Sequence, residues 1–143
     1  MRRPTDETDP ADWFAFAAER LKSADLLWRH EGLTPSGIEC LQEATERYLK
    51  GYLIAKGWRL VKTHDLKLLV EEAQKYDSRF PQFGRLAADL TADFFAQHYP
   101  GGDLTHVGEN YETLRAQTGE LVALIRESLP NHFNSPPSSD LST

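Results

Sequence analysis

The chain lacks the features that would tie it to an oxidising compartment or to a membrane. Its 143 residues include one cysteine, so no internal disulfide is possible. No apolar run approaches the roughly 20 residues that a membrane-spanning helix needs. The first residues, MRRPTDETDPADW, lack the apolar stretch of a signal peptide. We therefore expect a cytoplasmic protein without membrane contact.

Positive charge is also scarce. The 16 lysines and arginines are outnumbered by 22 aspartates and glutamates, which gives a formal net charge of -6. This balance excludes a protein that coats nucleic acid through overall positive charge, and we expect no DNA partner. A local basic patch that binds RNA or a nucleotide is still compatible with it. The length and the hydrophobic content of 40% fit one globular domain.

No segment shows the convincing alternation of a β-strand. Apolar residues instead recur at three- and four-residue steps, and prolines and glycines divide the chain into helices. The predicted helices run from Pro10 to Gly32, from Pro35 to Gly57, from Leu66 to Tyr76, from after Pro81 to Phe94 and through Val107 to Ile125. We predict an all-α, antiparallel up-and-down bundle of four main helices plus a short extra helix over residues 9–130. The segments 1–8 and 131–143 are expected to be disordered.

The same periodicity places the tryptophans. Trp13 and Trp28 fall on one apolar stripe of the first helix, and we expect both in the core. Trp58 follows the glycine that ends the second helix, where it either stacks a base or covers the end of the bundle. We favour the second role.

A polar row occupies one side of the second helix. Gln42, Glu46 and Lys50 follow one another at four-residue steps, with Glu43 and Arg47 alongside. One interpretation is a surface ladder of ion pairs, worth a few tenths of a kcal/mol per pair. The other is a polar seam that faces a partner subunit or a ligand groove.

The stretch RLVKTHDL places Arg59 and His64 at a spacing suited to chemistry on RNA. A histidine can move the proton of a 2′-hydroxyl group, and an arginine can stabilise the charge of a pentavalent phosphate. The spacing carries little weight, because a chain of this composition reaches it by chance and Arg126 and His132 also fit it.

A structural role for the same stretch is the interpretation that we favour. Thr63 can accept hydrogen bonds from the first amides of the third helix, and Asp65 suits the helix dipole. His64 would anchor the loop by bonding a backbone carbonyl.

A second polar cluster surrounds the corner Pro100-Gly101-Gly102. Its members are His98, Tyr99, Asp103 and His106, and the backbone amides of the corner can approach a phosphate. The alternative, which we favour, is that Tyr99 packs under the corner and His98 faces solvent. A metal site built from the histidines and Asp103 would span a flexible loop, so we expect no metal and no other cofactor.

The second helix and the segment after it resemble the HEPN family. The residues that match the family pattern are Gln42, Ala44, Glu46, Leu49, Lys50, Leu53, Gly57, Thr63, His64, Asp65 and Leu66. The first helix and the Tyr99-Pro100 pair also fit, so that the resemblance covers roughly residues 11–130. It favours the polar row as a functional seam.

The resemblance implies a bundle of four to five helices that often pairs as a homodimer beside a minimal nucleotidyltransferase, in a toxin–antitoxin-type pair. Many members are metal-independent ribonucleases that use an arginine and, four to six residues later, a histidine near the start of the last helix. Here His98 stands where many members carry arginine ahead of Tyr99. No arginine lies four to six residues before His98 or His106, so the ribonuclease motif is absent at this place.

We therefore predict a non-catalytic HEPN-type module that binds a nucleotide or RNA, forms a homodimer and acts with a nucleotidyltransferase partner. The expected ligand-binding residues are Gln42, Glu46, Lys50, Lys62, His64, Asp65, His98 and Tyr99. The alternative is a metal-independent ribonuclease that uses His64 or His98 together with Arg59 or Arg47.

Overall fold

The computed structural model describes residues 6–97 and 105–133, and the side chains of residues 6–92 and 110–133. Within these ranges the chain is helical and contains no strand, which confirms the predicted all-α class. The elements are α1 (Pro10–Glu31), α2 (Pro35–Ala55), α3 (Leu66–Gln74), a 3-10 turn (Phe80–Phe83), α4 (Gly84–Gln97), α5 (Thr105–Ser128) and α6 (Pro130–Phe133). No helix of the described part is long and apolar enough to cross a membrane.

The first two helices begin at the prolines that the sequence predicts, each directly after a capping residue. The side chain of Asp9 accepts a hydrogen bond from the amide two residues later, and that of Thr34 accepts one from the amide three residues later. Each cap is followed by a proline at the start of the helix. Gly32 and Gly57, with φ of 73° and 93°, follow the two helices and adopt a conformation that favours glycine.

α3 begins at Leu66 as predicted, but its capping residue and its C-terminal end differ from the prediction. Asp65, rather than Thr63, is the N-cap, because its Oδ1 accepts from the amides two and three residues later at 2.9 and 3.3 Å. Thr63 Oγ1 accepts from the amide of Asp65 itself. Tyr76, predicted to lie on the apolar stripe, follows the end of α3 and is 44% exposed. The chain turns there, where Asp77 accepts from the amide two residues later.

α2 is the central helix and contacts α1, α3, α4 and α5. α1 runs antiparallel to it, since Phe14 contacts Gly51 at one end of the pair and Leu27 contacts Gly37 at the other. A Cβ added at Gly51 would lie 2.6 Å from the Cε1 atom of Phe14. The absence of a side chain at this position therefore sets how closely α1 approaches α2.

The core surrounds α2 and takes side chains from α1 and from the later helices. Its fully buried large side chains include Leu41, Leu49, Tyr52, Leu53, Leu69, Phe80, Leu86, Leu90 and Leu121. Trp28, expected in the core, is partly buried against it and stacks on Tyr111 of α5 with ring centroids 4.5 Å apart. Trp58 packs partly buried against the core. Phe133 packs on Phe14 at 4.4 Å.

Ordered structure extends past both predicted boundaries of the bundle. Residues 6–8 form a turn against the start of α1, and residues 131–133 belong to α6. The remaining parts of the two segments expected to be disordered, residues 1–5 and 134–143, lie outside the described residues.

Candidate functional site

The polar row of α2 is buried. Gln42, Glu46 and Lys50 are 0%, 4% and 4% exposed. Lys50 Nζ donates to Glu46 Oε2 at 2.7 Å, and Gln42 Nε2 donates to Glu46 Oε1 at 3.5 Å. The row is therefore not a surface ladder of ion pairs. Glu46 and Lys50 form a desolvated ion pair, in which loss of one partner would leave a buried, uncompensated charge.

The segment between α2 and α3 binds this row through His64. His64 Nδ1 lies 2.9 Å from Glu46 Oε1, and Gln42 Nε2 donates to the His64 carbonyl at 3.3 Å. The imidazole is expected from the sequence to bond a backbone carbonyl; its Nδ1 faces the carboxylate of Glu46. The side chain of His64 is 61% exposed and that of Glu46 is 5% exposed. A buried carboxylate thus orients an imidazole that extends to the surface.

A cleft of about 450 Å³ is lined in part by Glu46, Lys50 and His64. The other residues that line it are Asp6, Glu7, Asp12, Trp13, Phe16, Arg47, Leu60, Lys62 and Thr63. Four separate parts of the chain meet here: the N-terminal turn, the start of α1, the middle of α2 and the segment after α2. The volume is that of a small-molecule site, and the lining combines apolar side chains with carboxylates, basic groups and an imidazole.

Two aromatic residues of α1 form the apolar wall of the cleft. The indole N–H of Trp13 donates to the carbonyl of Glu7 at 2.9 Å, and Lys50 Nζ lies 5.7 Å from the centroid of the indole ring. The guanidinium of Arg47 lies 4.3 Å from the ring centroid of Phe16. Both cations are thus held against aromatic faces.

The family model of the HEPN domain matches residues 11–128, which include the polar row and the segment that carries His64. The chain belongs to the HEPN domain family. Comparison with curated proteins and with solved structures gives no match. A HEPN domain is a nucleotide- or RNA-related module.

The cleft of this HEPN domain contains several of the predicted site residues. Glu46, Lys50, Lys62 and His64 line it, and Gln42 lies behind them, bonded to Glu46 and to the His64 backbone. Of the two arginines considered for a ribonuclease, Arg47 lines the cleft together with His64, and Arg59 does not.

The remaining predicted site residues either lie away from the cleft or fall outside the described residues. Asp65 is the N-cap of α3 and does not line the cleft. His98, Tyr99 and Asp103 lie outside the described residues, and so does the side chain of His106. Among the residues that are described, no group of three histidine, cysteine, aspartate or glutamate side chains is placed to hold a metal ion.

Trp13 and Phe16 are residues of the cleft that sequence reasoning missed. The apolar stripe predicts Trp13 in the core, but Phe14 and Ala17 occupy the buried positions of this turn, at 5% and 0% exposure. The apolar stripe is too broad to separate neighbouring positions, because residues 13, 14 and 17 all lie within one side of a helix. No local signal in the sequence distinguishes the tryptophan that lines a cleft from one that is buried.

Proposed function

We propose that this HEPN domain is a non-catalytic module that binds a nucleotide or RNA in the cleft. It forms a homodimer and acts with a minimal nucleotidyltransferase partner in a toxin–antitoxin-like pair. The observation that carries the proposal is the buried Glu46–Lys50 pair that opens into a cleft rimmed by Arg47, Lys62 and His64. The missing arginine ahead of Tyr99 supports the non-catalytic part.

Stability alone does not explain the buried pair. Removing two charges from water costs several kcal/mol per ion, and well-packed apolar residues of similar volume are often as stabilising. Charges next to a cleft of low dielectric constant are useful when they meet a ligand, since electrostatic attraction is stronger there than in water. We therefore assign the pair to ligand binding.

The chemistry of the lining matches a nucleotide. Arg47 and Lys62 can donate to phosphate oxygens, and His64 lies beside them in the lining. The carboxylates that line the cleft can accept hydrogen bonds from the amino groups of a base. The aromatic wall offers a surface for the base itself.

Binding measurements test the ligand role. Calorimetric titration of the purified domain with a ribonucleoside monophosphate and with a short single-stranded RNA should give saturable binding that weakens with added salt. Lys62→Ala should lower the affinity by about tenfold or more, the loss of one charge-assisted hydrogen bond. Lys67→Ala is the matched control, because Lys67 is also exposed but lies outside the cleft. A wild-type domain that binds neither probe, or equal losses in the two variants, would contradict the proposal.

Co-purification from the native host tests the partner. We expect the domain to be recovered as a dimer with a nucleotidyltransferase. Recovery of a lone monomer without bound nucleotide would contradict this part of the proposal.

A second candidate function, metal-independent RNA cleavage, is favoured by the Glu46–His64 pair. A carboxylate that accepts a hydrogen bond from Nδ1 directs Nε2 of the imidazole away from itself and fixes the ring for proton transfer. Arg47 in the same cleft can stabilise the charge on a phosphate.

Incubation with total RNA, with and without a chelator, separates the two functions. Wild type, His64→Ala and His98→Ala are compared. Cleavage that resists the chelator and disappears in His64→Ala would make the domain a ribonuclease that uses this pair. Intact RNA in the presence of folded protein supports the non-catalytic module, and equal cleavage by all three proteins identifies a contaminant.

A further inference from the structure

We propose that Trp13 is the platform on which the cleft stacks one unpaired nucleobase. This inference rests on the proposed ligand role of the cleft and specifies the ligand as an unpaired base that carries a phosphate. Such a group occurs in a free nucleotide and in single-stranded RNA, and its base and phosphate would make the same contacts with the cleft in either case. The base pairs of an RNA duplex do not offer it.

The indole ring of Trp13 is fixed on two sides by its own chain. Its N–H donates to the carbonyl of Glu7 at 2.9 Å. Lys50 Nζ, itself bonded to Glu46 at 2.7 Å, lies 5.7 Å from the ring centroid. Because the polar atom of the ring already has a partner, the ring contributes π surface rather than a hydrogen bond to the cleft.

The neighbouring residues explain why this ring is available. The core positions of the same turn are taken by Phe14 and Ala17, so Trp13 is only partly buried and lines the cleft. Phe16, the other aromatic residue of the wall, has the guanidinium of Arg47 at 4.3 Å from its ring centroid. Arg47 Nη1 also lies 3.6 Å from Glu43 Oε1, and Arg47 lines the cleft, where its guanidinium can donate to a phosphate.

A wall of this kind selects for a base without stacked neighbours. Stacking on an aromatic side chain needs one free face of the base, and both faces are covered inside a duplex. Every base has such a face, so we expect tolerance of base identity and discrimination against duplex RNA.

Four probes and three variants test the platform. The probes are adenosine 5′-monophosphate, ribose 5-phosphate, a short oligoadenylate and a blunt-ended RNA duplex. The variants are Trp13→Leu, Trp13→Phe and, as a matched control away from the cleft, Trp58→Leu. Thermal unfolding of each variant shows whether it is folded at the temperature of the titration.

Trp13→Leu should weaken binding of the monophosphate or the oligoadenylate by about tenfold or more, the usual effect of losing one base–aromatic contact. Trp13→Phe should retain most of the affinity, and Trp58→Leu should leave it unchanged. Ribose 5-phosphate should bind wild type and Trp13→Leu equally, because it has no base. Binding of the monophosphate indicates a free nucleotide as ligand, and binding of the oligoadenylate alone indicates a strand.

Fluorescence gives an independent readout. Ligand should quench the tryptophan emission of wild type and of Trp58→Leu, and this quenching should be absent from Trp13→Phe. Unchanged affinity in Trp13→Leu would overturn the platform while leaving the ligand role of the cleft intact. Equal weakening of ribose 5-phosphate, or duplex binding as tight as that of the oligoadenylate, would overturn it as well. Failure of wild type to bind any of the probes would instead contradict the proposed function on which the platform depends.

Discussion

Two sides of α2 are buried to the same degree and differ in chemistry. Where α2 meets the 3-10 turn, the ring centroids of Tyr52 and Phe80 are 4.7 Å apart. Where it meets α5, the hydroxyls of Thr45 and Thr118 are 3.2 Å apart. Where it meets the cleft, it carries the charged pair of Glu46 and Lys50. Burial by itself therefore does not distinguish a core from a site. The distinction lies in whether the buried groups are needed for packing.

The largest effect on the free energy of unfolding is expected at the buried Glu46–Lys50 pair, where substitutions can separate stability from ligand binding. Lys50→Met leaves the buried carboxylate of Glu46 without its cation and should lower the free energy of unfolding by about 3 kcal/mol, measured by denaturant titration. The double variant Lys50→Met, Glu46→Leu replaces the pair with apolar residues. It should return to within about 1 kcal/mol of wild type or exceed it, and yet bind no nucleotide. A double variant that is as unstable as the single one would show that the pair serves the fold.

A smaller effect is expected at the contact that sets the distance between α1 and α2. Gly51→Ala places a Cβ 2.6 Å from the Phe14 ring and should destabilise the domain by about 2 kcal/mol through overpacking. Gly84→Ala is the control, since a Cβ there meets nothing within 4 Å and its φ of -60° suits any residue. Equal melting temperatures of the two variants would mean that α1 can shift without cost.

The pair of threonine hydroxyls on the α5 side of α2 should contribute less to stability than the contact between α1 and α2. Thr45 and Thr118 each donate to the carbonyl four residues earlier, so neither hydroxyl depends on the other. Thr45→Val and Thr118→Val should each cost about 1 kcal/mol, and the double variant should bind the ligand of the cleft as wild type does. A loss of ligand affinity in the double variant would show that the two sides of α2 are coupled.

The smallest effect at neutral pH is expected at Tyr111. Burial, followed by the nearby carboxylate of Asp25, raises the pKa of its hydroxyl to about 12. Among the described residues this hydroxyl has no hydrogen-bond partner, so Tyr111→Phe should change the stability at pH 7 by less than about 1 kcal/mol. The neutral hydroxyl contributes stability that is fully present below the unfolded pKa near 10 and is lost as the pH rises through about 12.

Unfolding curves measured at alkaline pH test this predicted loss of stability. Tyr111→Phe should remain folded to a higher pH than wild type. The transition will not disappear, because burial also raises the pKa values of Tyr48 and Tyr52. An unchanged or lower midpoint in the variant would contradict the assignment.

Features that depend on neighbouring residues could be predicted from the sequence. α1 and α2 begin at Pro10 and Pro35 as expected, directly after the capping residues Asp9 and Thr34, and Gly32 and Gly57 follow their ends. For α3, the sequence predicts the cap in the right segment but at the wrong residue. Competing side chains two residues apart can each reach a free amide, and only the backbone geometry decides between Thr63 and Asp65.

The sequence by itself determined the helical class, the positions of the main helices and a polar row on α2, because capping and periodicity act over a few residues. Only the tertiary structure decided that this row is buried, that its carboxylate pairs with a histidine 18 residues later, and that Trp13 faces a cleft. These outcomes depend on how α1, α2 and the segment after α2 pack together. The same four-residue spacing would have produced an exposed ladder if α1 had packed against a different side of α2.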